Sequence, residues 1–378
     1  MITANPDITA ALSAHGARRF AAVIPYEGIF IRDHWGELTA CPWWYARSPD
    51  LEQQLAWRRD VIARVPQDWC ELPDFPPRDV RHKMAIQVRG EEVFHVNRLT
   101  GQEIRLLPPQ IGGWTTEGPL ASIHPARLPQ TRDEIAEALP ASPEPDAGAL
   151  RSDGSADLAE ALFGGPARGR SPLDAVSGPF WSTYNLWGFE GMMAMVVQRP
   201  DLVEYACDCH LERARRSIRR SAALGAQIIW IEDCMTDMIS PRAYAAFNLP
   251  YVREIVAEIR RAGMWSVHYF CGNPAGKWDL LLASGADALS LEEGKKGFVI
   301  DVEEIVDRVH GRCAVLGNLD AVGVLQDGDE TTLRAEIARQ VAAGQRNDGR
   351  FIMSLGSPVT PGTPVERVRL YCDLVHDL

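Results

Sequence analysis

The chain has 378 residues, 46% of them hydrophobic and 24% charged, a balance that excludes wholesale disorder and fibrous repeats. Its formal net charge of -12 argues against a general nucleic-acid or anionic-membrane surface, where basic patches are expected. No apolar run reaches the roughly 18 residues of a membrane span, residues 1–15 lack a secretory pattern, and the eight cysteines are scattered, so reduced thiols in a cytoplasm are expected.

Residues Ala4 to Phe20 read as a helix leading into a first strand, Ala21 to Pro25. The aromatics Trp43, Trp44 and Tyr45 admit two readings: a packed cap over one end of the core, or the lining of a pocket for a flat, apolar ligand. Asp50 to Ala63 has apolar residues at helical spacing behind an acidic start, and Asp68 to Leu72 reads as a short strand. Met84 to Asn97 forms two runs about a turn at Gly90, and Thr100-Gly101 turns into Glu103 to Leu107, which together make a meander. Residues 138–171 shift to Pro, Ala, Gly, Ser and Asp, with a weak helical patch at Leu158 to Phe163, and read as a surface loop or linker.

From residue 172 the rhythm is regular. Strands are expected at Ala175 to Phe180, Gln227 to Ile231, Trp265 to Tyr269, Ala286 to Leu291, Cys313 to Leu316 and Phe351 to Leu355. Helices are expected between and after them, at Glu190 to Val197, Asp201 to Leu224, Pro241 to Ala262, Lys277 to Ser284, Val302 to Val309, Glu330 to Ala343 and Pro364 to Leu374. Short, continuously apolar strands alternating with helices mean a parallel sheet covered on both faces. A doubly wound open sheet is one α/β arrangement of this kind; a (β/α)₈ TIM-like barrel with an N-terminal, hairpin-containing extension fits better, because no Gly-rich phosphate fingerprint opens the series and the repeat runs so long. The whole chain, 1–378, is read as one barrel domain: residues 1–137 are irregular, 138–171 form an insertion, and 172–378 carry the regular alternation.

Chemistry in such a fold sits where the strands finish. Ile231 is followed by Glu232, Asp233 and Cys234; Val267 by His268 and then Cys271; Leu291 by Glu292 and Glu293; Leu316 by Gly317, Asn318 and Asp320; Leu355 by Gly356 and Ser357. Imidazole, thiol and carboxylate suit zinc, with one position open for substrate, so His268, Cys271, Glu232 and Glu293 are the candidate ligands. The ion would act as a Lewis acid or hold a thiolate ready as nucleophile. The plainer alternatives are a structural His268–Cys271 pair, solvated Glu292 and Glu293 with Lys295 and Lys296 as loose partners, and turn chemistry for Asn318 and Asp320.

Several segments in this order carry a resemblance: Gly178-Pro179-Phe180 with Trp187-Gly188-Phe189-Glu190, Gly225 to Ile229, Phe247 to Tyr251, His268 to Gly272, Gly285 to Ser290, Gly317 to Asp320 and Gly356 to Pro361. Over about Ser177 to Leu378 the sequence resembles the uroporphyrinogen decarboxylase superfamily, which also contains cobalamin-dependent methyltransferases. The resemblance implies a (β/α)₈ barrel with its site at the carboxyl ends of the strands. It also implies, for the methyltransferases, a zinc bound by a His, a nearby Cys and a later Cys. His268 and Cys271 match the first two with two residues between them instead of one, and Ser357 stands at the third, leaving Glu232 or Glu293 as replacement. The decarboxylases carry an Arg-rich, Gly-containing N-terminal motif; Ile31 to Gly36 lacks it.

The expected activity is therefore transfer of a methyl group from a small methylated substrate, such as an aromatic methyl ether, to a corrinoid (cobalamin) carried by a separate protein. Glu232, Asp233 and Asp320 are the candidate catalytic groups, and Trp43, Trp44, Tyr45, Asn318 and Ser357 the candidate substrate contacts. The alternatives are decarboxylation of a small aromatic or pyrrolic acid, with Asp233 or Asp320 relaying the proton, and a non-catalytic corrinoid- or metal-binding carrier. A homodimer is the assembly that general frequency suggests.

Overall fold

The computed structural model describes residues 4–119, 121–294 and 297–378. Its strands are β1 (Trp69–Glu71), β2 (Met84–Arg89), β3 (Glu92–Asn97), β4 (Glu103–Leu106), β5 (Ser171–Ser177), β6 (Ile228–Asp233), β7 (Trp265–Phe270), β8 (Ala288–Leu291), β9 (Ala314–Leu316) and β10 (Phe351–Ile352). The order β1-β5-β6-β7-β8-β9-β10 makes a seven-stranded parallel sheet, and β2-β3-β4 makes the separate antiparallel meander.

The eighth position of the barrel is filled by residues 21–24. Ala22 bridges Met353 in parallel. The Val23 N–H donates to the Met353 carbonyl and the Met353 N–H to that of Ala21, while the Asp68 N–H donates to Ala22, each at 2.9 Å. The expected first strand is thus an extended segment joining β10 to the start of β1. Two apolar layers follow from the alternation of side chains along strands. Trp69, Leu173, Trp230, Val267, Tyr269 and Leu316 fill the barrel interior, whereas Val176, Ile229, Ile231, Phe270, Leu291 and Val315 pack outward against helices.

The helices obey local signals. Asn5 caps Pro6–Leu12, its side chain accepting the Asp7 and Ile8 N–H groups. Pro200 opens the helix Pro200–Leu224, and Gly225, at φ 101°, closes it in the left-handed region. Three expectations are corrected. The first helix stops at Leu12, where Ser13 turns to extended backbone (φ -79°, ψ 169°) and its N–H donates to the Thr9 and Ala10 carbonyls. The helix expected over Pro241 to Ala262 is two, Pro241–Phe247 and Leu249–Arg261, broken at Asn248 just before Pro250. Residues 138–171 hold more structure than a surface loop: the helical patch at Leu158 to Phe163 lies in a helix, Asp157–Gly164, a second helix spans Ala147–Ser152, and the segment runs into β5. Leu158, Leu162 and Phe163 of the helix Asp157–Gly164 are buried with Leu55, Cys70 and Phe75. Among the described residues no helix is long and apolar enough to cross a membrane.

Candidate functional site

Strand parity decides which residues reach the barrel mouth. On β6, Ile228 and Trp230 face inward and Ile229 and Ile231 outward; on β7, Val267 and Tyr269 face inward and Phe270 outward. Continuing this two-residue period puts Glu232, Cys234 and Cys271 on the mouth side, and Asp233 and His268 on the helix side. The ladder pairs Glu232 with Tyr269 and Asp233 with Phe270, and both cysteines pack at the edge of the interior cluster.

His268 is therefore not presented beside Cys271, which corrects the reading of this stretch as a strand delivering two ligands to one place. Positions three apart on a strand face opposite ways. Asp233, fully buried, gathers His268 instead: its Oδ2 lies 3.0 Å from His268 Nε2 and accepts from Tyr244 Oη at 2.7 Å and Asn248 Nδ2 at 2.8 Å. This cluster fastens β6 and β7 to the helix over them and uses the break at Asn248. Asp233 accordingly lies behind the sheet rather than in the mouth.

The other strand-end residues also have partners. Ser177 Oγ donates to Glu232 Oε2 at 3.1 Å, and burial raises the Glu232 carboxyl above its ordinary pKa. Ser357 Oγ donates to Glu293 Oε2 at 2.8 Å across the ends of β8 and β10. Gly356 is needed for that approach, since a Cβ there would fall 2.2 Å from the Glu293 nitrogen. Asn318 Nδ2 donates to the carbonyls of Glu292 and Ile300 and holds the loop after β8. Asp320 Oδ1 accepts the N–H groups of Val322 and Gly323, which is the turn role. Lys295 and Lys296, the expected partners of Glu292 and Glu293, lie outside the described residues. Among the described residues no three His, Cys, Asp or Glu side chains converge as a metal set. A zinc built on His268 and Cys271 does not fit this arrangement.

What fills the mouth instead is an aromatic floor with protonated groups above it. Trp230 stacks on Tyr269 with centroids 5.0 Å apart, and Tyr26 stands edge-on to both at 5.9 and 5.8 Å. The Cys271 thiol hydrogen-bonded beside it, together with burial, pushes the Cys234 thiol well up, so it stays a thiol at neutral pH. Burial, then the neighbouring Glu232 and Cys234, raises the Tyr26 phenol likewise. Tyr26 at φ 56° and Met235 at φ 60° hold left-handed backbone on either side of this space, a strain that clusters at functional sites.

The second wall comes from the N-terminal region, and there the sequence reading missed the acids. Glu27 accepts from Gln67 Nε2 and the Glu71 N–H, both at 2.8 Å, while the Gly28 N–H donates to Glu71 Oε1 at 3.1 Å. Burial and the adjacent Glu27 raise the Glu71 carboxyl to about 7; burial raises Glu27 as well. Two carboxyls this close resist double ionisation. Glu71 closes β1, so the strand-end rule applied to Asp68–Leu72 was the signal available for it.

Both acids line a cavity of about 590 Å³ with Trp35, Trp43, Trp57 and Arg58 on its other sides. Of the aromatic trio, Trp43 lines this cavity, Tyr45 packs against the outer core, and Trp44 sits edge-on to Tyr45 at 4.7 Å. Arg58 lies over the Trp57 ring at 4.0 Å, and its guanidinium hydrogen-bonds to Gln54. Five carboxylates and three guanidiniums line the cavity; Arg32 is bonded to Asp33 and Arg47 to Glu117, so the space is a poor host for a polyanion.

Known proteins share this construction. Over its full length the fold matches a methyltransferase from Methanosarcina mazei, with a TM-score of 0.65 at 15% identity and 99% of that chain covered, a likeness of fold alone. Curated uroporphyrinogen decarboxylases align more closely in sequence. The one from Burkholderia thailandensis is 30% identical over 275 residues, covering 69% of this chain and 71% of that protein. That from Neisseria meningitidis is 29% identical over 220 residues, covering 56% and 60%. The family model described as uroporphyrinogen decarboxylase (URO-D) matches residues 172–378, more than half of the chain. Barrel and sequence thus agree: the chain belongs to the uroporphyrinogen decarboxylase family.

Proposed function

We propose that the protein transfers a methyl group from a small aromatic methyl ether to a corrinoid acceptor, using a carboxylic acid instead of zinc to activate the substrate. The observation that carries this reading is the Glu27–Glu71 pair, with Glu71 raised to about 7 at the edge of a tryptophan-lined cavity. A carboxyl that keeps its proton near neutral pH is suited to general-acid work. The ring stacks against Trp43 or Trp35, and Glu71 donates its proton to the ether oxygen as the carbon–oxygen bond breaks. The oxygen leaves as a neutral hydroxyl, and the methyl carbon passes to the acceptor. A corrinoid, when bound, supplies the strong metal nucleophile for that carbon. Burial also raises the Glu232 carboxyl, on the β6 side of the mouth, above its ordinary value.

Decarboxylation of a small aromatic acid is the second reading. It is favoured by Arg58, whose only hydrogen-bond partner among the described residues is Gln54, leaving it able to receive a substrate carboxylate. The test uses the purified protein with cobalt(I) cobalamin, a panel of aromatic methyl ethers and the matching aromatic acids. Spectral methylation of the cobalamin that disappears in Glu71→Gln is the expected result. Carbon dioxide release without methyl transfer overturns it in favour of the second reading. Tight corrinoid binding without turnover would leave a non-catalytic carrier.

A further inference from the structure

A second cavity, of about 730 Å³, lies outside the mouth and has the opposite electrostatic character. It runs alongside the carboxyl half of β5, where β1 has already ended: β1 pairs only as far as Leu173, while β6 continues to Ser177. The helix Pro200–Leu224 and the stretch 138–145 form its other walls. Arg213, Arg216 and Arg220 line it from one helix face, at i, i+3 and i+7, and no Asp or Glu lines it at all. In a chain of net charge -12, a concave surface carrying three guanidiniums and no carboxylate is a focused positive field.

The state of each cation points to a ligand. Arg213 is exposed and makes no hydrogen bond or ion pair among the described residues. Arg220 is held at 2.6 Å by Asp74, whose side chain is 82% exposed, and Arg216 lies 3.7 Å from the exposed Glu144. Exposed pairs of this kind contribute little, so another anion can displace them. His210, only 8% exposed, also lines the cleft, and its Nε2 is buried without a partner. Burial and the neighbouring Arg213 guanidinium hold it down to about 4, so at neutral pH it is an uncharged ring. Ser182, Asn185 and Ser217 add neutral hydrogen-bonding groups.

We propose that this cleft is a second ligand site, taking a small molecule through a phosphate or carboxylate group bound first by Arg213 and then by Arg216 and Arg220. Planar guanidiniums match both oxyanions bidentately, which is the shared chemistry. The site does not depend on the reaction proposed for the mouth. The two spaces meet at Ser177, which lines the cleft and bonds Glu232.

Calorimetry on the full chain at low salt, with pyrophosphate and citrate as separate probes, tests it. One probe at least should bind at a single site and weaken about tenfold or more in Arg213→Gln, with the melting temperature unchanged because the side chain is exposed. Tighter pyrophosphate assigns the phosphate class and tighter citrate the carboxylate class. Ser217→Glu, which places an anion in the cleft at another exposed position, should abolish binding even if Arg213→Gln folds poorly. Glu71→Gln, in the other cavity, should leave it unchanged. The proposal is overturned by no binding of either probe, by equal binding in wild type, Arg213→Gln and Ser217→Glu, or by binding that Glu71→Gln removes.

Discussion

The wall of the mouth built by β6 and β7 and the acid pair held by residues 26–71 are built by different means. In the first, every side chain is placed by a ladder, so neighbours in sequence are sent to opposite faces: Glu232 and Cys271 go to the mouth, Asp233 and His268 to the helices. In the second, a left-handed residue, a short helix and a three-residue strand bring Glu27 beside Glu71 through main-chain hydrogen bonds. The ladder wall is rigid and holds the polar cluster that fastens it from behind. The irregular wall holds the carboxyl that burial and a neighbouring acid lift to about 7. Regular structure provides the frame, and the irregular segment provides the raised carboxyl.

The largest effect expected from breaking this division is on turnover. Glu71→Gln should lower the rate by about 10²- to 10⁴-fold with the fold intact, the usual weight of a general acid; a rate within a few-fold of wild type would move the acid to the other wall. Removing the fastening behind the ladder should act on stability instead. Asp233→Ala strips the acceptor from His268, Tyr244 and Asn248 and should cost roughly 3 kcal/mol in urea unfolding. His268→Ala should likewise lower the urea midpoint and leave the metal content of the purified protein unchanged, the reverse of what a ligand would do.

Gly356→Ala comes next. Its Cβ would meet the Glu293 backbone and should cost about 1–3 kcal/mol, read as a lower urea midpoint. The pH dependence then separates the walls more finely. Glu71 binds its proton more tightly folded than unfolded, so its contribution favours the folded state most at acid pH and declines as pH rises from about 4.5, the ordinary value, through about 7. Melting temperatures from pH 4.5 to 8 should show a shallower decline in Glu71→Gln. The smallest effect is at His376, which sits 2.8 Å from Asp68 Oδ2 and is raised by that hydrogen bond. His376→Ala should cost a few tenths of a kcal/mol, about the worth of an exposed pair. That loss should be full below about 6.5 and should vanish as pH climbs through the raised folded value, as melting curves of the two proteins across that range would read.

Much of this frame was legible beforehand. The continuous apolar run Ile228–Ile231 and the helical spacing of Val302, Ile305, Val306 and Val309 leave little choice of element, and the alternation of such segments names the barrel. The facing of His268 was legible too: within the strand expected at Trp265 to Tyr269, the two-residue period sets His268 opposite to Val267 and Tyr269. The helix Asp157–Gly164 was signalled by Leu158, Leu162 and Phe163 within a segment whose composition says loop, whereas Ala147–Ser152, with no buried residue, left no apolar spacing to read. Glu27 could not be found from spacing: its neighbour Glu71 lies 44 residues away, and only the closed barrel joins them. The basic cleft needed the tertiary fold as well, since along the helix its arginines alternate with Glu-paired ones such as Arg215 and Arg219.

The seam between residues 21–24 and Met353 has a kinetic meaning. It pairs segments some 330 residues apart in sequence, and Asp68 adds a clasp by accepting from Asn5 Nδ2 and the Ala22 N–H while meeting His376 near the other end. Contacts of such separation are made late, because the loop entropy of the whole chain opposes them. During synthesis the segment that closes the barrel emerges some 330 residues ahead of its partner. Until then the edges of β1 and β10 stand open, and the nascent protein is exposed to strand-edge association. The Glu27–Glu71 pair hangs on that same early segment, so the raised Glu71 carboxyl comes into being only when the ring shuts.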